Sequence, residues 1–65
     1  MSGFVELSVD YLHHTSGAVL VDDGGEECWI PLSQIQDEHD FDTYDRHTPI
    51  AIMVSEWFAE EEGLV

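Results

Sequence analysis

Fifteen carboxylates share this 65-residue chain with one arginine, Arg46, and no lysine, leaving a formal net charge of −14. Ion pairing within the chain can neutralise almost none of that charge, and the self-repulsion opposes any compact state. A fold must therefore be held by apolar burial, with the carboxylates left on its surface. The apolar material is present. Hydrophobic residues make up 43% of the chain, with two Trp, two Tyr and three Phe, which sets it apart from acidic disordered sequences. The length permits one domain, residues 1–65, able to bury only about 60% of its unfolded surface. Cys28 is the only cysteine, so no internal disulfide can staple the fold, and an intracellular setting is expected. No run approaches the roughly 18 apolar residues that span a bilayer. Met1 to Phe4 has neither the basic nor the apolar region of a signal peptide. Anionic headgroups would repel the chain, so no membrane role is expected.

Apolar positions fall mostly at a strand period. Val5, Leu7, Val9 and Tyr11 alternate with Glu6, Ser8 and Asp10, which predicts a half-buried strand over Phe4 to His14. Ala18 to Asp22 predicts a second strand, with either Val19 or Leu20 facing inward. Asp22-Asp23-Gly24-Gly25-Glu26 is a hairpin signal, because two glycines supply the positive φ that such turns need. Cys28 to Ile30 predicts a third strand, closed by Pro31. Leu32 to Ile35 fits one turn of 3-10 helix or a bend, and Gln36 to Asp45 fits a loop or an irregular strand, with Phe41 and Tyr44 as anchors. Pro49 to Val54 predicts a fourth strand. Ser55 is placed to cap a helix from Glu56 to about Glu62, and Gly63 to end it. The expected fold is α+β: a small bent antiparallel sheet of about four strands with one C-terminal helix, or alternatively a partly open SH3-like barrel. The expected core is Val5, Leu7, Val9, Val19 or Leu20, Ile30, Ile50, Ile52, Val54, Trp57 and Leu64.

Function is sought first in the carboxylates. They gather as Asp22, Asp23, Glu26 and Glu27 at the hairpin, as Asp37, Glu38, Asp40, Asp42 and Asp45 in the middle, and as Glu60, Glu61 and Glu62 at the end, with Glu6 and Asp10 on the first strand. The last group opposes the helix macrodipole, and local rules broken without an evident gain tend to mark functional surface. Carboxylates two apart on a strand stand about 6.5–7 Å apart, near the spacing of successive phosphates. Such a surface can imitate a nucleic-acid backbone toward a protein that grips phosphates through Lys and Arg. A solvated acidic surface tuned for solubility or high salt is the bland alternative.

Other chemistries find less support. The Asp37 to Asp45 stretch lacks the glycine and the final glutamate of an EF-hand loop, and His13, His14, His39, His47 and Cys28 match no zinc spacing, so no metal and no cofactor are expected. Cys28 sits in a predicted strand and reads as a small buried hydrophobe; no enzyme activity and no catalytic residue are expected. A single cation excludes direct nucleic-acid binding. Trp57 and Phe58 are adjacent on a short helix and cannot both face the core. One is expected to pack and the other to serve as an apolar anchor for a partner.

Two Trp-centred segments carry a resemblance. Cys28-Trp29-Ile30-Pro31-Leu32-Ser33-Gln34-Ile35, preceded by Ala18 to Gly24, and Ser55-Glu56-Trp57-Phe58-Ala59-Glu60-Glu61-Glu62-Gly63-Leu64 resemble a pattern of small phage and prophage proteins: a strand, a W-[IV]-P-x-S-x-I segment and a closing E-W-x-A-x-x-x-G-L helix. About two-thirds of the chain takes part. Within that group the chain is similar to anti-CRISPR inhibitors of type I systems, such as type I-C. The resemblance implies a DNA mimic in the cytoplasm of a bacterial host, binding the basic, PAM-reading surface of a surveillance complex. It implies no catalytic residue. Asp22, Asp23, Glu26 and Glu27 are the first contact candidates, then Glu60, Glu61 and Glu62, then Asp37, Glu38, Asp40 and Asp42, with Trp57 or Phe58 as anchor. A monomer is expected, since a dimer would bring two highly negative bodies together.

Overall fold

A computed structural model describes residues 3–64. In chain order it holds β1 (Phe4–His14), β2 (Ala18–Asp23), β3 (Glu26–Pro31), 3-10 turns at Leu32–Gln34 and Phe41–Thr43, β4 (Thr48–Ser55) and α1 (Glu56–Glu61). The strands form one antiparallel sheet in the order β3-β2-β1-β4. Three strands joined by tight turns are followed by a fourth that returns beside the first, which is Greek-key connectivity. The fold is thus α+β with a single four-stranded sheet and a C-terminal helix, not a barrel.

One side of the sheet forms the core. Leu7, Val9 and Tyr11 of β1, Val19 and Val21 of β2, Ile30 of β3 and Ile52 and Val54 of β4 are buried there, with Phe41, Phe58 and Ala59 packed over them. Val19, Val21, Ile30, Ile52 and Val54 are fully buried, each contributing about 1.5–3 kcal/mol of transfer free energy. Val5, Ile50 and Leu64, expected in the core, pack at its margin. Val19 is the buried choice in β2, and Leu20 turns to the other face. Cys28 is half-buried beside the core, more open than expected. Leu12 is buried away from the cluster, at a bulge: Tyr11 pairs with Val21 and His13 with Leu20, leaving Leu12 unopposed. The extra residue reverses the in–out alternation, so that His14 rather than His13 shares the core side with Tyr11.

One expectation fails at the helix. Trp57 is 61% exposed, and Phe58 takes the core position at 8%. The caps fix this phase. Ser55 accepts from the Phe58 N–H at 3.2 Å. At the other end Gly63 has φ 71, its N–H reaches the Glu60 carbonyl, and the Leu64 N–H reaches the Ala59 carbonyl at 2.8 Å. This is a Schellman closure, which brings Leu64 against Ala59 and turns Phe58 and Ala59 toward the sheet. Phe58 is therefore unavailable as a partner anchor, and Trp57 is the exposed ring of the pair.

Candidate functional site

The hairpin carboxylates are set by register. Gly24 and Gly25 take φ of 66° and 99° and close a two-residue turn, with Asp23 facing Glu26 and Asp22 facing Glu27. Asp22 also accepts from the Gly25 N–H at 2.6 Å, which fixes the turn. Strand alternation then divides the group between the two faces. Asp22 and Glu27 lie on the open face, where Asp22 also faces Asp10 of β1. A row of three carboxylates, Asp10–Asp22–Glu27, thus crosses three strands at an inter-strand spacing of about 4.8 Å. Like charges directly opposite one another oppose pairing, by roughly 0.2–1 kcal/mol per pair. Asp23 facing Glu26 repeats the conflict on the other side. The open face also carries Glu6, and an open groove of about 520 Å³ runs beside the row between Asp10, Asp22, Gly24, Gly25, Pro49 and Ala51.

The helix brings a second group to the hairpin. Glu62 Oε1 lies 4.0 Å from Cys28 Sγ although 34 positions separate them in sequence. Burial pushes the Cys28 thiol up from its ordinary pKa, and the charges of Glu62 and Asp23 push it further. These effects keep the thiol protonated and a poor nucleophile. The end of α1 and the core side of the hairpin therefore form one continuous negative field, with Glu60 and Glu61 exposed beside it.

The middle carboxylates are placed differently, and most are occupied. Asp37 accepts from the Met53 N–H at 3.0 Å and from His39 Nε2 at 2.8 Å. Burial pushes its carboxyl up, but the hydrogen bonds from Met53 and His39, with the His39 charge, outweigh that and hold it below the usual carboxylate range. Asp40 caps the second 3-10 turn by accepting from the Asp42 N–H. Asp42 Oδ1 lies 3.1 Å from His14 Nε2. Glu38 is exposed. Of this group, Glu38, Asp40, Asp42 and Asp45 are exposed, whereas Asp37 is half-buried and ties the loop to β4.

That loop is organised by rings the sequence reading did not connect. Phe41 is sandwiched between Tyr11 (centroids 5.9 Å apart, planes at 10°) and His39 (5.5 Å, 17°). Each flanking ring belongs to an Asp–His–Tyr series. Asp37, His39 and Tyr44 form one, with the Tyr44 hydroxyl 2.9 Å from His39 Nδ1. Asp42, His14 and Tyr11 form the other, with the Tyr11 hydroxyl 2.6 Å from His14 Nδ1. A carboxylate only accepts, so His39 donates to Asp37 through Nε2; its Nδ1 accepts from the Tyr44 hydroxyl when the ring is neutral and donates to it when the ring is charged. Both series tie the loop to the sheet, one through Tyr11 and His14 of β1 and the other through the Asp37 bond to Met53 of β4. The only sequence signal for them was spacing: Tyr11 and His14 can meet only because the bulge turns His14 inward.

Among the described residues no three His, Cys, Asp or Glu side chains converge as metal ligands. Arg46 forms no carboxylate pair among them either; its guanidinium donates to the Leu12 carbonyl at 3.5 Å. The surface charge is thus left without internal compensation. Along the 34 Å long axis, 14 net charges give about one per 2.4 Å, against one per ~1.7 Å of duplex DNA. The three residues outside the description carry no charged side chain. Large apolar groups are also open: Phe4 at 47%, Trp29 at 48% and Trp57 at 61%. No described helix is long and apolar enough to cross a membrane. Comparison with family models, curated proteins and solved structures finds no match to this chain.

Proposed function

We propose that this chain acts by binding, as a DNA mimic that occupies a basic nucleic-acid-binding surface of another protein. The observation that carries the reading is the row Asp10–Asp22–Glu27, three carboxylates forced opposite one another across adjacent strands with no cation between them. The arrangement opposes folding, and a cationic partner would relieve it. The linear charge density, within a factor of two of duplex DNA, supports the same reading.

The partner in this reading is the DNA-recognising part of a type I CRISPR surveillance complex in a bacterial host. What supports that choice is the resemblance of the Trp29 and Trp57 segments to small phage inhibitors. The carboxylates would engage Lys and Arg that otherwise hold target phosphates, and the protein would act as a monomer without catalysis. The test is charge reversal by patch: Asp10→Lys, Asp22→Lys and Glu27→Lys together, and Glu60→Lys, Glu61→Lys and Glu62→Lys together. Loss of inhibition of DNA binding by at least one folded triple variant is expected. Full inhibition by both would sink the reading.

A second reading rests on the exposed Trp29 and Trp57. They suit an interaction module with an apolar interface and an incidental acidic surface. Its binding would change little with salt, whereas a mimic's falls steeply.

A further inference from the structure

The two edges of the sheet are treated unequally. On β4, Met53 is covered: its carbonyl accepts from the Gln36 N–H at 2.8 Å, and its N–H is taken by the Asp37 carboxylate at 3.0 Å. Ile35 bridges Val54 beside it, and Pro49 has no N–H to offer. Such covering is how edge strands are kept from pairing with other chains.

β3 has no comparable cover among the described residues. The two-residue turn makes Asp23 and Glu26 a hydrogen-bonded pair, so Val21/Cys28 and Val19/Ile30 are bonded pairs as well. The Leu32 N–H to Gly17 carbonyl bond at 3.0 Å continues this parity. The N–H and C=O groups of Glu27 and Trp29 therefore point away from β2, and no backbone partner meets them among the described residues. Cys28 Sγ, 3.7 Å from the Trp29 carbonyl, is a weak contact. Pro31 shares their parity and ends the open stretch, because its missing N–H would have pointed outward.

We infer that the outer edge of β3 is a strand-addition site for an extended, Lys- or Arg-bearing segment of the partner. This rests on the acidic-mimic reading and names how part of the contact is made. An antiparallel strand bonded to Glu27 and Trp29 forms four backbone hydrogen bonds. Its side chains alternate between two acidic flanks: Glu27 with Asp22 and Asp10 on the open face, Glu26 with Glu62 on the helix side. Cationic residues on either side of the added strand meet a carboxylate. A second copy of this chain is the wrong occupant, since pairing β3 with β3 joins two bodies of net charge −14 through edges that each carry Glu26 and Glu27. The same glutamates that bar self-pairing select a basic strand.

The test uses the full chain and a capped hexapeptide alternating lysine and threonine, read by amide hydrogen exchange at low salt. The Glu27 and Trp29 amides are expected to slow at least tenfold with peptide bound, and a peptide N-methylated along one edge is expected to lose that protection. Glu27→Gln should weaken binding a few-fold and Glu27→Pro tenfold or more. If the proline variant does not fold, the exchange result on the unaltered chain decides. Salt-sensitive peptide binding with those two amides unprotected overturns the strand site and leaves the acidic reading standing. No peptide binding at low salt also overturns the strand site, while the mimic reading stands or falls on competition with DNA.

Discussion

Replacing Phe41 by alanine should come close to unfolding this protein. Phe41 is 9% exposed, lies between the Tyr11 and His39 rings, and bridges the 36–45 loop to the sheet. Truncating a buried phenylalanine costs about 3–5 kcal/mol. A 65-residue domain at 0.05–0.15 kcal/mol per residue has a total of roughly 3–10 kcal/mol, and uncompensated charge pulls this one toward the low end. With a urea m-value near 1 kcal/mol/M for so small a domain, the midpoint should drop by about 3 M or more. The matching control is Trp57→Ala, a larger truncation at a site 61% exposed, expected to stay within about 0.5 kcal/mol. Urea titration followed by far-UV circular dichroism reads both. The core assignment is refuted if Trp57→Ala loses more stability than Phe41→Ala, or if Phe41→Ala leaves the midpoint in place.

Three further outcomes follow from the charges. Cys28 should react with iodoacetamide more slowly than an unstructured cysteine peptide at neutral pH, because burial and the Glu62 and Asp23 charges raise its pKa. Glu62→Gln should speed the reaction, and an unchanged rate would contradict the placement of Glu62. Asp37 has a lowered folded pKa, so its stabilising contribution is present above its unfolded value of 3.8 and is lost as pH falls through the folded value. The deficit of Asp37→Asn should therefore be largest near neutrality and shrink in acid; a deficit independent of pH would refute the bonding assigned to it. Raising salt from about 0.05 to about 1 M shortens the Debye length several-fold and should raise Tm, each recovered kcal/mol being worth about 4–8 °C. A chain unfolded at low salt and rescued only near molar salt would point instead to a halophile adaptation.

Much of the local structure was legible because single residues dictate it. Gly24-Gly25 forced the hairpin, Ser55 and Gly63 bounded the helix, and the alternation through Val5, Leu7 and Val9 set β1 with its inward face. The return of β4 to the far side of β1 was not legible, since no local residue specifies which edge a later strand joins. Trp57 was expected in the core and lies outside it. The deciding signal was the pairing of Leu64 with Ala59 across Gly63, which sets the helix phase whatever the bulk at position 57. The carboxylate groups were visible as composition, but their sorting depended on register. Asp10 became part of the hairpin row only through the β1–β2 pairing, and Asp37 is half-buried because its oxygens hold the Met53 N–H and the His39 ring.

The most direct measurement is target-duplex binding by a purified type I surveillance complex, with and without this protein, across a salt series. A mimic of the phosphate backbone gives competitive loss of DNA binding that fades as salt rises. Normal DNA binding at saturating protein, at every salt concentration, would contradict it for that partner, and the exposed Trp29 and Trp57 would then be the surface to follow.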